Sequence, residues 1–355
     1  MKTITIAGAG ISGLCCAITL KKAGYPVEVF EKRKECGARF NGDLQGLENW
    51  SSETDTLDEI QKMNITPSFL YKPFTTMHLT DGKEGILIVS SKPIFYLLKR
   101  GTMNESLDQS LKNQALDHGV RIHFQSKKDV QHSDIIATGP NTQKITAVAK
   151  GITFETEADD IAVALVNKKT SYHGYAYLLI HNGYGCINTV NAYGFGSVNT
   201  CFNNAVEMFT TLYDLDIKQK RSCGGVGSFL LKQRIQRGEQ RFVGEAAGLQ
   251  DFLWGFGMRY AFTSGYLAAQ SIIENTNYKT LVRQNLSTRL KASIVNRFYV
   301  EKLDDYGRVL INHGKTIPEG KHIILLNKAY NLSLYGRIVY PLAKLYLWKK
   351  FKDIV

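Results

Sequence analysis

The run Gly8-Ala9-Gly10-Ile11-Ser12-Gly13, with Glu31 standing 18 residues beyond its last glycine, combines the residue types that hold two phosphates and a ribose. Gly8 permits a tight turn, Gly10 lets backbone amides approach a pyrophosphate at a helix N-terminus, and Gly13 lets that helix lie close to its strand. Glu31 is placed to accept hydrogen bonds from ribose hydroxyls. An acid at this point fits FAD or NAD and repels the extra phosphate of NADP. Ala9, Ser12 and Lys32 complete this first group of cofactor-binding residues.

A second group lies far along the chain. Gly244-Glu245 opens a glycine- and alanine-rich stretch that passes through Asp251 to Gly255-Phe256-Gly257-Met258 and then into a run of helical character reaching about Glu274. The start of a helix carries partial positive charge and favours an anion placed against it. Ala261, Gly265, Ala268 and Ala269 recur at helical spacing, which would let this helix pack tightly on the first glycine unit.

These residues need a βαβ frame, and the flanking sequence supplies one. Residues 3–7 read as a buried strand, 14–23 as a helix closed by Gly24, and 27–30 as a second strand ending on the acid. That order is what dinucleotides require. Further on, 103–118 reads as a helix with Leu107, Leu111 and Ala115 on one face, and Gly119 leads into a strand.

Length and composition set the rest of the frame. A chain of 355 residues with 44% hydrophobic and 21% charged residues is long for one core, and has no repeat or biased segment. The six cysteines (15, 16, 36, 186, 201 and 223) show neither CxxC nor metal-ligand spacing with the eight histidines. They read as reduced thiols of a cytoplasmic protein, with no metal expected. The apolar start carries the glycine pattern and continues into a strand, so it reads as structure and not as a signal peptide.

Net charge is +12, and residues 279–355 hold 15 Lys and Arg against 5 Asp and Glu. This tail also carries Tyr335, Ile338, Leu342, Leu345, Tyr346 and Trp348, interleaved with Arg337, Lys344, Lys349, Lys350 and Lys352. Two readings fit it: peripheral attachment to the inner face of an anionic membrane, or a helical subdomain whose lysines are simply solvated. Arg337, Pro341 and Lys344 interrupt the apolar run, so a membrane-spanning helix is not expected. A basic tail with no RNA- or DNA-reading motif argues against nucleic acid.

The segment 241–274 resembles the flavoprotein signature VGDAAG, then DP, then GxG and a small-residue helix. Lys99-Arg100 with the following helix, glycine and strand, Ala137-Thr138-Gly139-Pro140, and Cys36-Gly37-Ala38-Arg39-Phe40-Asn41-Gly42 resemble further elements of the same group. The ordered set is similar to FAD-dependent oxidoreductases of the para-hydroxybenzoate hydroxylase fold, most of all their geranylgeranyl reductase branch. The resemblance implies that Arg39, Arg100, Thr138 and Gly139 face FAD, that Glu245 holds a ribityl hydroxyl, and that Gly255, Gly257 and Met258 sit against the flavin ring. Gly174-Tyr175-Ala176-Tyr177 echoes the branch's GYxWxFP segment without its Phe-Pro. Glu245 stands where the family has Asp, Phe252 where it has Pro, and Thr138 where the hydroxylases have Asp. In place of a cysteine near the substrate the chain reads Asn41-Gly42-Asp43-Leu44.

The expected architecture is α/β: a Rossmann-type FAD domain (1–75, 101–150 and 235–278), an inserted, mainly antiparallel β substrate domain (76–100 and 151–234), and a helical, basic, aromatic-rich region (279–355). The expected substrate is a small apolar molecule or a lipid, walled by Tyr175, Tyr177, Phe252, Trp254 and Phe256, and the implied reaction is saturation of an isoprenoid double bond. No catalytic residue follows from the sequence; His181, Tyr175 and Tyr177 are proton-donor candidates by position alone. There is one GxGxxG unit, so electrons would come from NAD(P)H bound without a domain of its own or from a reduced redox protein. Monooxygenation of an apolar or aromatic substrate on the same scaffold, and non-catalytic electron carriage at a membrane, are the alternatives.

Overall fold

A computed structural model describes residues 1–127 and 132–351. The first half of the chain runs β1 (Ile4–Ala7), α1 (Ile11–Lys22), β2 (Val27–Phe30), β3 (Leu44–Glu48), α2 (Thr56–Lys62), β4 (Tyr71–Phe74), β5 (Thr76–Thr80), β6 (Gly85–Val89), β7 (Phe95–Lys99), α3 (Leu107–Asp117), β8 (Arg121–His123) and β9 (Ile135–Ile136). Then come β10 (Ala147–Glu155), β11 (Ile161–Leu165), β12 (Tyr175–His181), β13 (Tyr184–Asn191), α4 (Val198–Tyr213), β14 (Lys218–Gly227), β15 (Gln236–Arg237) and β16 (Gln240–Phe242). Among the described residues the last elements are α5 (Met258–Ile273), α6 (Tyr278–Val300), α7 (Tyr306–Lys315), α8 (His322–Tyr330) and α9 (Leu334–Lys350).

The strands form three sheets. One has the order β15-β16-β9-β1-β2-β8 and is parallel except at the β15–β16 hairpin. The central strands β1, β2 and β9 are short, largely apolar and largely buried, as the middle of a parallel sheet requires, whereas the edge strands β8 and β15 are partly exposed. Helix α1 is buried along its length, because α5 and α3 both pack against it. The contact between α1 and α5 is close enough that a Cβ on Gly265 would lie 2.2 Å from the Ser12 carbonyl oxygen, so the small-residue stripe does pack on the βαβ unit. Cys15 and Cys16 lie in this core, where burial pushes the Cys15 thiol up to about 12.

The second sheet, β14-β10-β13-β12-β11-β5-β6, is antiparallel except for the β11–β5 pair. Its period of two divides the residues of β12 between its faces. Ala176, Leu178 and Ile180 pack with Phe202, Ala205 and Phe209 of α4, which turns Tyr175, Tyr177 and Leu179 to the opposite side. The third sheet joins β3, β7 and β4. Residues 95–99, grouped by the sequence with the substrate domain, thus pair with two strands assigned to the FAD domain.

The C-terminal region is helical, as expected, and α9 lies on α6. Its buried residues are Gly336, Ala343 and Leu347, with Phe351 just beyond. Tyr335, Ile338, Leu342 and Leu345 are exposed, whereas Tyr346 packs edge-on to Phe298. Lys352 lies outside the described residues.

Candidate functional site

A cavity of about 910 Å³ runs between the parallel sheet and the antiparallel one. At one end β1 delivers the chain into the glycine turn. Gly8 adopts φ +108°, and a Cβ there would stand 2.3 Å from the Ala137 carbonyl oxygen, so only glycine fits. Gly13 is held by the same closeness, 2.1 Å from the Gly8 carbonyl oxygen, and serves packing without lining the cavity. Gly10, the N-cap of α1, is the opposite case: its side-chain position meets nothing within 4 Å, and no side chain caps the helix. Open space over uncapped amides at a helix start is an anion cradle.

Glu31 accepts from the Ala9 and Arg33 backbone amides, each at 2.9 Å. An ionised carboxylate has about four acceptor sites, so two remain for ligand hydroxyls. Ala9, Ser12, Lys32, Thr138 and Gly139 line the same end of the cavity. These residues fit a dinucleotide.

The loop after β2 crosses to the second sheet. Arg39 pairs with Glu245 at 3.2 Å and donates to the Val226 carbonyl of β14, while the other Glu245 oxygen accepts from Ser228 N at 2.9 Å. Glutamate in place of aspartate thus reaches β14, and both of its oxygens are engaged beside the cavity. Gly244 lies behind it, with its N–H donating to Ser264 Oγ. Arg100 lines the cavity, but its guanidinium is a bidentate partner of buried Asp108 at 2.8 and 2.9 Å and lies 4.2 Å over the Phe40 ring. Its visible work is to clamp the loop 36–43 against α3, where Gln109 also donates to the Cys36 carbonyl.

Gly255, Gly257 and Met258 line the cavity at the start of α5. The turn before them is fixed by Asp251, whose carboxylate accepts from Trp254 N at 2.5 Å and from the Tyr330 hydroxyl at 2.9 Å. Burial raises the Asp251 carboxyl to about 6 against these bonds.

The far end is aromatic. Tyr175 stacks at 6.4 Å on Phe256 and meets Trp254 edge-on at 5.7 Å, with Tyr177 at 6.1 Å and Trp50 edge-on to Phe256 at 4.8 Å. Tyr175, Tyr177, Trp254 and Phe256 all line the cavity; Phe252 does not. Its ring is buried between Phe229 and Phe351, a core position behind the wall. His181 also lies elsewhere, paired with Asp160 at 2.6 Å near the end of β12. The phenols of Tyr175 and Tyr177 both line the cavity, and burial raises both, so each stays protonated.

Sequence reasoning passed over Trp50, Met77, Phe95, Asp43 and Asn188, all of which line this chamber. Asp43 is buried, burial pushes its carboxyl up, and its oxygen accepts from Asn41 N at 2.9 Å. Trp50, Met77 and Phe95 arrive from three distant segments, which no local pattern could have joined. Asp43, in a loop already singled out, was the one with a signal.

Residues 6–43 match the NAD(P)-binding Rossmann-like domain family. No curated protein matches by sequence. Among solved structures, a geranylgeranyl bacteriochlorophyll reductase-like protein from Thermoplasma acidophilum superposes with a TM-score of 0.71 at 18% identity, covering 100% of both chains. A flavin-dependent brominase gives 0.65 at 15% identity over 98% of this chain and 100% of its own. A 2-methyl-3-hydroxypyridine-5-carboxylic acid oxygenase gives 0.58 at 16%, over 91% and 96%. The chain therefore has the para-hydroxybenzoate hydroxylase-type flavoprotein fold.

Proposed function

We propose that this protein is an FAD-dependent oxidoreductase that saturates a carbon–carbon double bond of an apolar, isoprenoid-like chain. The observation that carries the reading is one continuous cavity with two chemistries: a dinucleotide cradle at Gly10 and Glu31, and an aromatic chamber lined by the protonated phenols of Tyr175 and Tyr177. FAD would be held by Gly8–Ser12, Glu31, Arg39 and Glu245, and supplies hydride transfer when bound. The chain's own part is to hold the substrate, exclude water and offer a proton.

Trp50, Tyr175, Trp254 and Phe256 give an extended hydrocarbon flat walls to lie along. The Tyr177 and Tyr175 hydroxyls, kept protonated by burial, are the proton donors we assign to the second alkene carbon. Electrons reach the site from NAD(P)H or a reduced redox protein.

The test is anaerobic turnover of the reduced flavoprotein with isoprenoid lipids, followed by mass spectrometry. A gain of two hydrogens supports reduction. A gain of oxygen only when air is admitted would replace it with monooxygenation, and no product with either would leave electron carriage. In the Tyr177→Phe and Tyr175→Phe variants, FAD content should hold while turnover falls about 100-fold or more in the one that loses the proton donor, the ordinary size of general-acid catalysis.

A further inference from the structure

Helix α9 is anchored on one side and bare on the other. Inward, Ala343, Leu347 and Phe351 are buried against the body, the Phe351 ring stacks on Tyr193 at 4.3 Å, and Lys350 pairs with buried Glu301. Outward, Leu334, Ile338, Leu342, Leu345 and Trp348 fall on one helical face with Pro341 among them, and Ile338 is 73% and Leu342 64% exposed. Exposed apolar residues scattered singly need no explanation, but a continuous stripe along about 25 Å of helix does.

What surrounds the stripe selects its occupant. Arg337 and Lys344 border it on one side and Lys349 stands at its C-terminal end, and the helix has no Asp or Glu at all. A second copy of this chain packed face to face would set these cations against their own counterparts with no acid on the helix to pair them. A bilayer with anionic headgroups satisfies both features, since the apolar arc enters the headgroup–acyl boundary while the flanking cations meet phosphates. No helix among the described residues is long and apolar enough to cross a membrane, so the helix would lie in the plane.

We infer that the outward face of α9 docks the protein on an anionic lipid surface. The inference stands on this face alone and holds or fails apart from the oxidoreductase reading, because its test contains no turnover.

The experiment is co-sedimentation of the full chain with vesicles of phosphatidylcholine alone or mixed with phosphatidylglycerol, at low and high salt. Wild-type protein should pellet with the anionic vesicles at low salt and leave them as salt screens the attraction. Replacing Arg337, Lys344 and Lys349 by Gln should weaken partitioning on the order of 100-fold, about fivefold for each near-surface charge. Ile338→Ser with Leu342→Ser should release the protein with its circular dichroism unchanged. Three results would overturn the inference: wild-type protein in the supernatant throughout, binding indifferent to lipid charge and salt, or a dimer in sedimentation equilibrium that the Ile338→Ser, Leu342→Ser variant abolishes. The lipid and salt series on wild-type protein decides the matter even if a variant misfolds.

Discussion

Two glycines with a single residue between them, Gly8 and Gly10, illustrate what single residues contribute to this site. Gly10→Val adds a side chain where no protein atom lies within 4 Å, so the fold should tolerate it while the anion cradle is filled. The expected outcome is loss of FAD binding by titration with a melting temperature shifted only slightly. Gly8→Ala meets the Ala137 carbonyl at 2.3 Å in a backbone conformation that L-residues rarely adopt, and should destabilise the protein outright. Glu245 is intermediate: it pairs with Arg39 and accepts from Ser228 without being deeply buried. Glu245→Gln should raise the FAD dissociation constant roughly tenfold or more, the value of a charge-assisted hydrogen bond, and leave the folded spectrum intact. An unchanged constant would show that the Arg39–Glu245 pair organises β14 and not the cofactor.

At the scale of elements, the start of α5 is placed by a residue that sequence reasoning overlooked. Arg259 is buried and paired with Glu59 at 2.6 Å and Glu48 at 3.6 Å, and it donates to Ser52 and the Thr54 carbonyl. A cation in the first turn opposes the helix dipole, so the two acids offset an otherwise unfavourable charge and fix α5 to β3 and α2. Arg259→Met leaves buried Glu48 without a cation and Glu59 with only Arg289, at 3.5 Å, and should cost about 3–5 kcal/mol in denaturant unfolding. The βαβ unit was legible because its signals are local: Gly24, the 27–30 strand and the acid each act within a few residues, and the helix expected over 14–23 runs Ile11–Lys22, one turn earlier at its start and one residue shorter at its end. The small-residue stripe of α5 was legible for the same reason. The Arg259 network and the Trp50 wall were not, because each joins segments some 200 residues apart through tertiary contact that no periodicity encodes. Phe252 was misplaced among wall residues because alternation within a turn does not say which side faces the cavity, and Phe229 takes that place in front of it.

At the scale of the molecule, Glu301 is where the antiparallel sheet, α6 and α9 meet. His173 before β12 approaches its carboxylate at 3.1 Å, Arg297 of α6 at 2.5 Å, and Lys350 of α9 also pairs with it. Burial alone would raise this carboxyl, but the hydrogen bond to His173 and the charges of Arg297 and Lys350 outweigh it and hold it down at about 2. The folded value therefore lies below the ordinary glutamate value of about 4.3, and linkage fixes the sign. The stabilisation is complete above about pH 4.3, where the carboxylate is charged in both folded and unfolded chains. It is lost as pH falls toward about 2, because the unfolded chain takes up the proton first. Its size is on the order of 3 kcal/mol across that window. Since the same carboxylate ties Lys350 to the end of α6, its protonation removes one of the contacts that anchor α9, beside the buried Ala343, Leu347 and Phe351. Urea unfolding of wild-type protein from pH 5 to 3 should show this decline, whereas Glu301→Gln should start lower at pH 7, with Arg297 left unpaired in the interior, and lack this component of the acid slope. Parallel slopes for the two proteins would mean that other carboxylates govern acid stability and that Glu301 is merely buried among cations.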